Sequence, residues 1–164
     1  MGMEVRRLTE DDAESYREIR LEALEHHPEA FQATYESVAD LPLDAYRQRL
    51  RRYALFGGFI DGTLCGFVGF FALKNAKIRH KGLMWGMYVK EIARGSGLAG
   101  KMVEAVVDHA RDEVEQLLCS VIADNERASR FYEKMGFELY GTERRALKIG
   151  ERYYDEEFRV KFLG

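Results

Sequence analysis

An apolar run, Gly86-Met87-Tyr88-Val89, leads into the glycine-rich turn Arg94-Gly95-Ser96-Gly97-Leu98-Ala99-Gly100, and that turn opens directly into an amphipathic helix. No other segment restricts the folding of this chain as sharply. Glycines let a backbone curl so that successive N–H groups face one point. The first turn of a helix adds unpaired donors and the positive end of the helix dipole. Strand, glycine turn and helix start, in that order, make a cradle for a phosphate or pyrophosphate. The chain therefore reads as one that binds a phosphate-bearing ligand.

Two phosphate chemistries compete for this stretch. Gly95 to Lys101 satisfies G-x-x-x-x-G-K, the pattern of a nucleotide P-loop, and the apolar run Leu117 to Ala123 ends in Asp124, as a Mg²⁺-binding strand does. The next position defeats that reading. The residue after the Lys must carry the hydroxyl that ligates Mg²⁺, and here it is Met102. Asp124 also stands directly before a helix, where capping accounts for it.

Apolar periodicity predicts the elements around the cradle. Met3 to Arg7 reads as a strand. Thr9 and Asp12 form a capping-box variant before a helix with Ala13, Tyr16, Ile19, Ala23 and Leu24 inward. His27-Pro28 breaks it near His26. Glu29 to Asp40 reads as an irregular or partly helical connector, and Pro42 suits the first turn of a second short helix to about Arg52. Tyr53 to Ile60 and Leu64 to Leu73 are strands joined at Asp61-Gly62, with Gly66 and Gly69 marking bulges or close backbone approach. A strand from about Arg79 to Val89 follows, then the glycine turn and a helix with Leu98, Met102, Ala105, Val106, His109 and Ala110 inward. Gln116 to Ile122 is a buried strand, Asn125 to Met135 a helix stopped by Gly136, and Glu138 to Leu147 with Tyr153 to Phe162 a last hairpin around Ile149-Gly150. A helix between the fourth and fifth strands implies a right-handed parallel crossover. The other strands pair mainly antiparallel, so the fold class is α+β. With 164 residues and no linker, residues 1–164 read as a single domain.

A net charge of −3 gives no field for nucleic acid, and the run Arg47-Gln48-Arg49-Leu50-Arg51-Arg52 reads as a solvated helix face. No apolar run spans a bilayer and the first residues lack an apolar signal core, so the expected location is cytoplasmic, with no membrane partner. Cys65 and Cys119 lie in apolar runs and read as buried free thiols. His26, His27, His80 and His109 show no metal-ligand spacing, so no metal is expected.

Arg94-x-x-Gly97-x-Ala99 resembles the pyrophosphate-binding signature of the GNAT superfamily of N-acetyltransferases, Gln/Arg-x-x-Gly-x-Gly/Ala. A second motif follows. Asn125-Glu126-Arg127-Ala128-Ser129-Arg130-Phe131-Tyr132-Glu133-Lys134-Met135-Gly136-Phe137 is similar to that family's Asn-x-x-Ala-x-x-Phe-Tyr-x-x-x-Gly-Phe element. The resemblance implies three layers around a mostly antiparallel, twisted sheet of about seven strands, with a parallel fourth and fifth pair splayed to admit coenzyme A. It implies acetyl transfer from acetyl-CoA, as cosubstrate, to a primary amine by direct nucleophilic attack. The amine belongs to a small molecule or a protein. It places Met87, Tyr88, Val89, Arg94, Gly95, Ser96, Gly97, Leu98, Ala99, Gly100, Asn125, Ala128, Ser129 and Tyr132 at the cosubstrate. Within that set the Val89 or Tyr88 N–H would polarise the thioester carbonyl. Tyr132 would be the general acid, since a phenol donates to a departing thiolate without first being perturbed. Asn125 has a second reading as a plain helix cap. The general base stays open among Glu29, Glu36, Glu138 and Glu143, and water can serve instead. The acceptor is expected between the connector, with Pro28-Glu29-Ala30-Phe31 and Tyr35-Glu36, and Arg152-Tyr153-Tyr154-Asp155-Glu156-Glu157. A non-catalytic CoA-binding regulatory module is the alternative, and homodimerisation through strand or helix edges stays open.

Overall fold

Seven of the apolar runs pair into one sheet. The structure, a computed structural model, describes residues 2–164. In chain order the strands are β1 (Met3–Arg7), β2 (Ala54–Ile60), β3 (Thr63–Ala72), β4 (Lys81–Val89), β5 (Gln116–Ile122), β6 (Glu138–Ile149) and β7 (Arg152–Phe162). They lie in the order β1-β2-β3-β4-β5-β7-β6, and β4–β5 is the parallel pair in an otherwise antiparallel sheet. The α+β class and the splayed crossover follow the sequence expectation.

The helices are α1 (Ala13–His26), α2 (Tyr35–Ala39), α3 (Leu43–Arg52), α4 (Leu98–Ala110) and α5 (Glu126–Lys134). They divide between the two faces of the sheet. On one face Tyr16, Ile19 and Ala23 of α1 and Tyr46 and Leu50 of α3 pack on Leu55, Leu64, Phe67 and Tyr88. On the other, Met102, Val103 and Val106 of α4 and Tyr132 of α5 pack on Val68, Phe70, Met84, Leu117, Cys119 and Val121. Fully burying one such aliphatic side chain contributes roughly 1.5–3 kcal/mol, which is why each helix lies where its apolar stripe meets the sheet.

The α1 stripe is the expected one: Ala13, Tyr16, Ile19, Ala23 and Leu24 are its buried residues, and Asp12 accepts the Thr9 N–H at 2.8 Å. Cys65 and Cys119 are free and buried. Other expectations shift. The connector holds a 3-10 turn at Pro28–Ala30 as well as α2. Pro42 precedes α3 with an extended ψ of 156° and does not enter its first turn. The buried stripe of α4 is Leu98, Met102, Val103, Val106, Val107 and Ala110. The two valines displace Ala105 and His109 to its edge, because they bury more apolar area without desolvating an imidazole. His109 rests edge-on against Phe56 and Phe70, each 5.5 Å between ring centroids, and turns Nε2 to Glu113 at 2.6 Å. Gly69 allows a close approach, since a Cβ there would meet the Trp85 ring at 2.4 Å.

Candidate active site

The site begins with a change of partner along β4. Lys81, Gly82 and Leu83 pair with Gln116, Leu117 and Leu118 of β5, and the parallel pairing stops there. From Met84 to Val89 the strand keeps β3 on one side and has no β5 partner on the other. A bulge accompanies the parting. Phe67 pairs with Tyr88 and Gly69 with Trp85, so Gly86 and Met87 together oppose Val68. Gly86 sits at φ 69°, a conformation open to glycine, and such a bulge bends and over-twists its strand. The Lys90 N–H donates to the Cys65 carbonyl on the β3 side at 2.8 Å. The alternation of an extended strand therefore turns the N–H and C=O of Val89 into the gap.

Beyond Val89 the chain makes a 3-10 turn at Glu91–Ala93 and enters the glycine turn. Gly95 and Gly97 hold φ of 80° and 91°, and Gly97 is the N-cap of α4. The Ser96 hydroxyl donates to the Ala93 carbonyl and accepts the Leu98 N–H at 3.3 Å. Among the described residues the N–H groups of Gly95, Gly97, Ala99 and Gly100 have no protein acceptor. A Cβ built on Gly95, Gly97 or Gly100 meets nothing within 4 Å, so the cradle has room in front of it. No acidic side chain stands in the first turn of α4. Free donors, open space and a positive dipole end fit a pyrophosphate. Arg94 braces the entrance: its Nε donates to the Val89 carbonyl at 3.3 Å, and its Nη2 lies 3.1 Å from His27 Nε2.

Tyr132 occupies the far wall. It is buried among Cys119, Val121 and Phe137, and Met87, Val89 and Ala128 pack against the same cluster. The gap in β4 and the second motif thus meet on one face of the sheet. The Tyr132 hydroxyl has no hydrogen-bond partner among the described residues. Burial, and the nearby Cys119, push the phenol well above its ordinary value, so it stays protonated. Asn125 caps α5, its Oδ1 accepting the Ala128 N–H at 3.1 Å. The Ser129 hydroxyl donates to Glu157 at 2.8 Å.

The opposite face of the gap carries groups that the linear pattern does not mark. The Tyr88 ring turns toward α1, and its hydroxyl donates to Glu22 Oε2 at 2.6 Å, with Lys90 Nζ 3.8 Å from the other carboxylate oxygen. Burial and the Glu22 carboxylate raise the Tyr88 phenol. Glu22 stands three residues past Ile19, at the edge of the buried stripe, where sequence reads only a surface acid. Of the acids named for base catalysis, Glu36 and Glu138 are exposed, Glu29 lies 4.0 Å from His27, and Glu143 pairs across the sheet with Glu156. Burial, then the facing Glu143, raise the Glu156 carboxyl. Glu156 also pairs with Ile122, at the end of β5 that borders the gap. Among the described residues no helix is long and apolar enough to cross a membrane, and no three His, Cys, Asp or Glu side chains are grouped to hold a metal.

Residues 10–137 match the model of the acetyltransferase (GNAT) family. Comparison with curated proteins gives no significant match. Among solved structures, an acetyltransferase of the GNAT family from Streptococcus pneumoniae superposes with a TM-score of 0.88 at 20% identity, over 99% of this chain and 100% of that one. A ribosomal-protein-alanine N-acetyltransferase from Brucella melitensis gives 0.85 at 22% identity, over 97% and 99%. A Salmonella typhimurium protein assigned as an acetyltransferase, in a structure with its cofactor acetyl-CoA, gives 0.81 at 20% identity, over 100% and 95%.

Proposed function

The chain belongs to the GNAT acetyltransferase family, and from that premise we propose that residues 1–164 act as one N-acetyltransferase domain. It moves the acetyl group of acetyl-CoA to a primary amine by direct attack. The observation that carries this is the end of β4: a strand that loses its β5 partner after Leu83 and runs into a helix start with free N–H groups.

The residues of the site then divide the work, with Arg94 bracing the turn against Val89. The N–H groups of Gly95, Gly97, Ala99 and Gly100 take the pyrophosphate oxygens, with Ser96 and Leu98 shaping the turn. Met87, Tyr88 and Val89 offer backbone to the pantetheine arm. The Val89 N–H faces the carbonyl oxygen, where negative charge grows in the transition state. A single donor of this kind contributes about 2.7–4 kcal/mol. The amine nitrogen bonds to the carbonyl carbon as the carbon–sulfur bond breaks. Tyr132 gives its proton to the departing sulfur, and the amine proton leaves through a carboxylate or water. Asn125, Ala128 and Ser129 hold Tyr132 in place through the start of α5.

The acceptor approaches from the α1 side, between Pro28–Phe31 and the β6–β7 hairpin. Glu143 and Glu156 face each other there, and neither forms an ion pair among the described residues, which favours a positively charged amine. The two free thiols suit a reducing compartment, and the cytoplasm is the proposed location.

The test is thermal unfolding with acetyl-CoA and, separately, with ATP and Mg²⁺, followed by an amine panel read by thiol release. A ligand at about 100 times its Kd adds roughly 2.7 kcal/mol of stability. A shift with acetyl-CoA and turnover on cationic amines is expected. Tight CoA binding with no turnover across the panel would favour the regulatory module, and a shift with ATP alone would sink the donor assignment.

A further inference from the structure

The basic run on α3 does not act as one solvated face. Arg51 points outward and pairs with Glu10 at 2.6 Å. Arg49 turns inward, its Nε donating to the Tyr16 hydroxyl at 2.8 Å and its guanidinium lying 4.7 Å over the Trp85 ring and 5.5 Å over Tyr53. Arg52 lies 5.3 Å from the centroid of the same Tyr53 ring. Together with Arg20 of α1, these two arginines line a cleft of about 220 Å³ whose remaining wall includes Tyr46, Gln48 and Tyr53.

Among the described residues no carboxylate forms an ion pair with Arg20, Arg49 or Arg52. The arginines in ion pairs are Arg6, Arg51, Arg130, Arg152 and Arg159. Asp44, on the same helix, is engaged by Gln48 at 3.1 Å. Burial, with Arg49 as a neighbouring cation, holds the Arg20 guanidinium below its ordinary value. Three guanidinia around one small cleft repel one another, and partial desolvation strengthens that repulsion. Arg49 and Arg52 lie over Trp85 and Tyr53, and among the described residues no acceptor takes the terminal nitrogens of either guanidinium. Guanidinia so held recognise carboxylate and phosphate oxygens. The volume is below that of drug-sized sites, which begin at about 300 Å³, and suits a small anion. None of the lining residues belongs to the cradle at Arg94–Gly100, and the cleft lies on the α1–α3 face of the sheet, across from α4 and α5.

We infer that this cleft binds a small ligand through an oxyanion group, a phosphate or a carboxylate, at a site separate from the acetyl donor. Bound there, the anion offsets part of the local positive charge and bridges α1 to α3. The inference does not depend on which amine the enzyme acetylates.

Trp85 is the single tryptophan of the chain, so its emission reports on the cleft. The experiment titrates the full chain, saturated with CoA to fill the phosphate cradle, with inorganic phosphate in one arm and citrate in the other. Ionic strength is held constant with chloride. A saturable change in Trp85 emission is expected in at least one arm, and the arm that saturates names the oxyanion. Arg20→Gln should weaken that binding about tenfold or more, and Arg51→Gln should leave it unchanged. Arg52→Gln, at an exposed position, keeps the test decisive if Arg20→Gln fails to fold. No saturation in either arm, or an unchanged Kd in the folded Arg20→Gln and Arg52→Gln chains, overturns the inference.

Discussion

α4 and α5 begin at the same end of the sheet, after the parallel strands β4 and β5, and differ in what stands at their first N–H groups. At α5 the amide of Asn125 accepts the Ala128 N–H, and Glu157 holds the Ser129 hydroxyl. At α4 the N-cap is Gly97, which offers no side chain, and the N–H groups of Gly97, Ala99 and Gly100 have no protein acceptor. A side chain at the N-cap fills the space before the first turn, whereas a glycine there leaves that space open to the oxygens of a ligand. Under the proposed function, two helices in equivalent positions have different work: α4 binds the donor and α5 carries Tyr132.

The sharpest way to break this comparison is to remove the one chemical group assigned to α5. Tyr132→Phe keeps the buried ring and deletes the hydroxyl. Its kcat should fall about 10²–10⁴-fold, the usual range for a general acid, while acetyl-CoA affinity stays within about twofold. A kcat close to that of the natural chain would take Tyr132 out of the reaction.

Gly97→Val attacks the open helix start. At φ 91° a β-branched side chain costs on the order of 1–2 kcal/mol, and any relaxation turns the free N–H groups off their common focus. Calorimetric titration should show acetyl-CoA binding about tenfold weaker or worse. Unaltered affinity would mean that these N–H groups do not hold the ligand.

Asn125→Ala tests the closed start. Losing a side-chain cap costs about 1 kcal/mol, which lowers the Tm by roughly 2–4 °C in a chain of this size. Acetyl-CoA affinity should not change. A parallel loss of affinity would show that the α5 cap also reaches the ligand, and the contrast between the two helices would disappear.

The smallest effect is at Cys119, beneath Tyr132. Burial pushes this thiol up from 9.0 to about 12. Iodoacetamide at mildly alkaline pH should leave it unmodified in the folded chain and label it after unfolding. Because the folded value lies above the unfolded one, the stability tied to the protonated thiol is complete below about pH 9 and is lost as pH rises toward 12. Rapid labelling of the native protein would show that the wall around Tyr132 is open to water.

Most of the framework was legible because its signals are local. The five buried positions of α1, the Asp61-Gly62 hairpin and the glycine turn each rest on residues within a few places of one another. Gly66 and Gly69 flagged irregularity on β3. Against β2 the extra residue is Cys65, beside Gly66, whereas against β4 it lies on the facing strand, at Gly86 and Met87. On α4 the pattern included His109 and omitted Val103 and Val107, because a one-dimensional stripe does not say how wide a surface the sheet will cover.

The groups that escaped reading are those whose partners are far along the chain. Glu22 meets Tyr88 across 66 positions, and His27 meets Arg94 across 67. Arg20 and Arg49 share a cleft only because α1 and α3 pack side by side on the sheet. The sequence by itself determined the elements, the glycine turn at the start of α4 and the position of Tyr132, since backbone preference and helix-start chemistry act between near neighbours. The tertiary structure alone decided where β4 and β5 part, which acids face the gap, and that three arginines converge without a counter-charge. Those outcomes depend on distances through space, which are set when the helices bury their apolar faces against a common sheet.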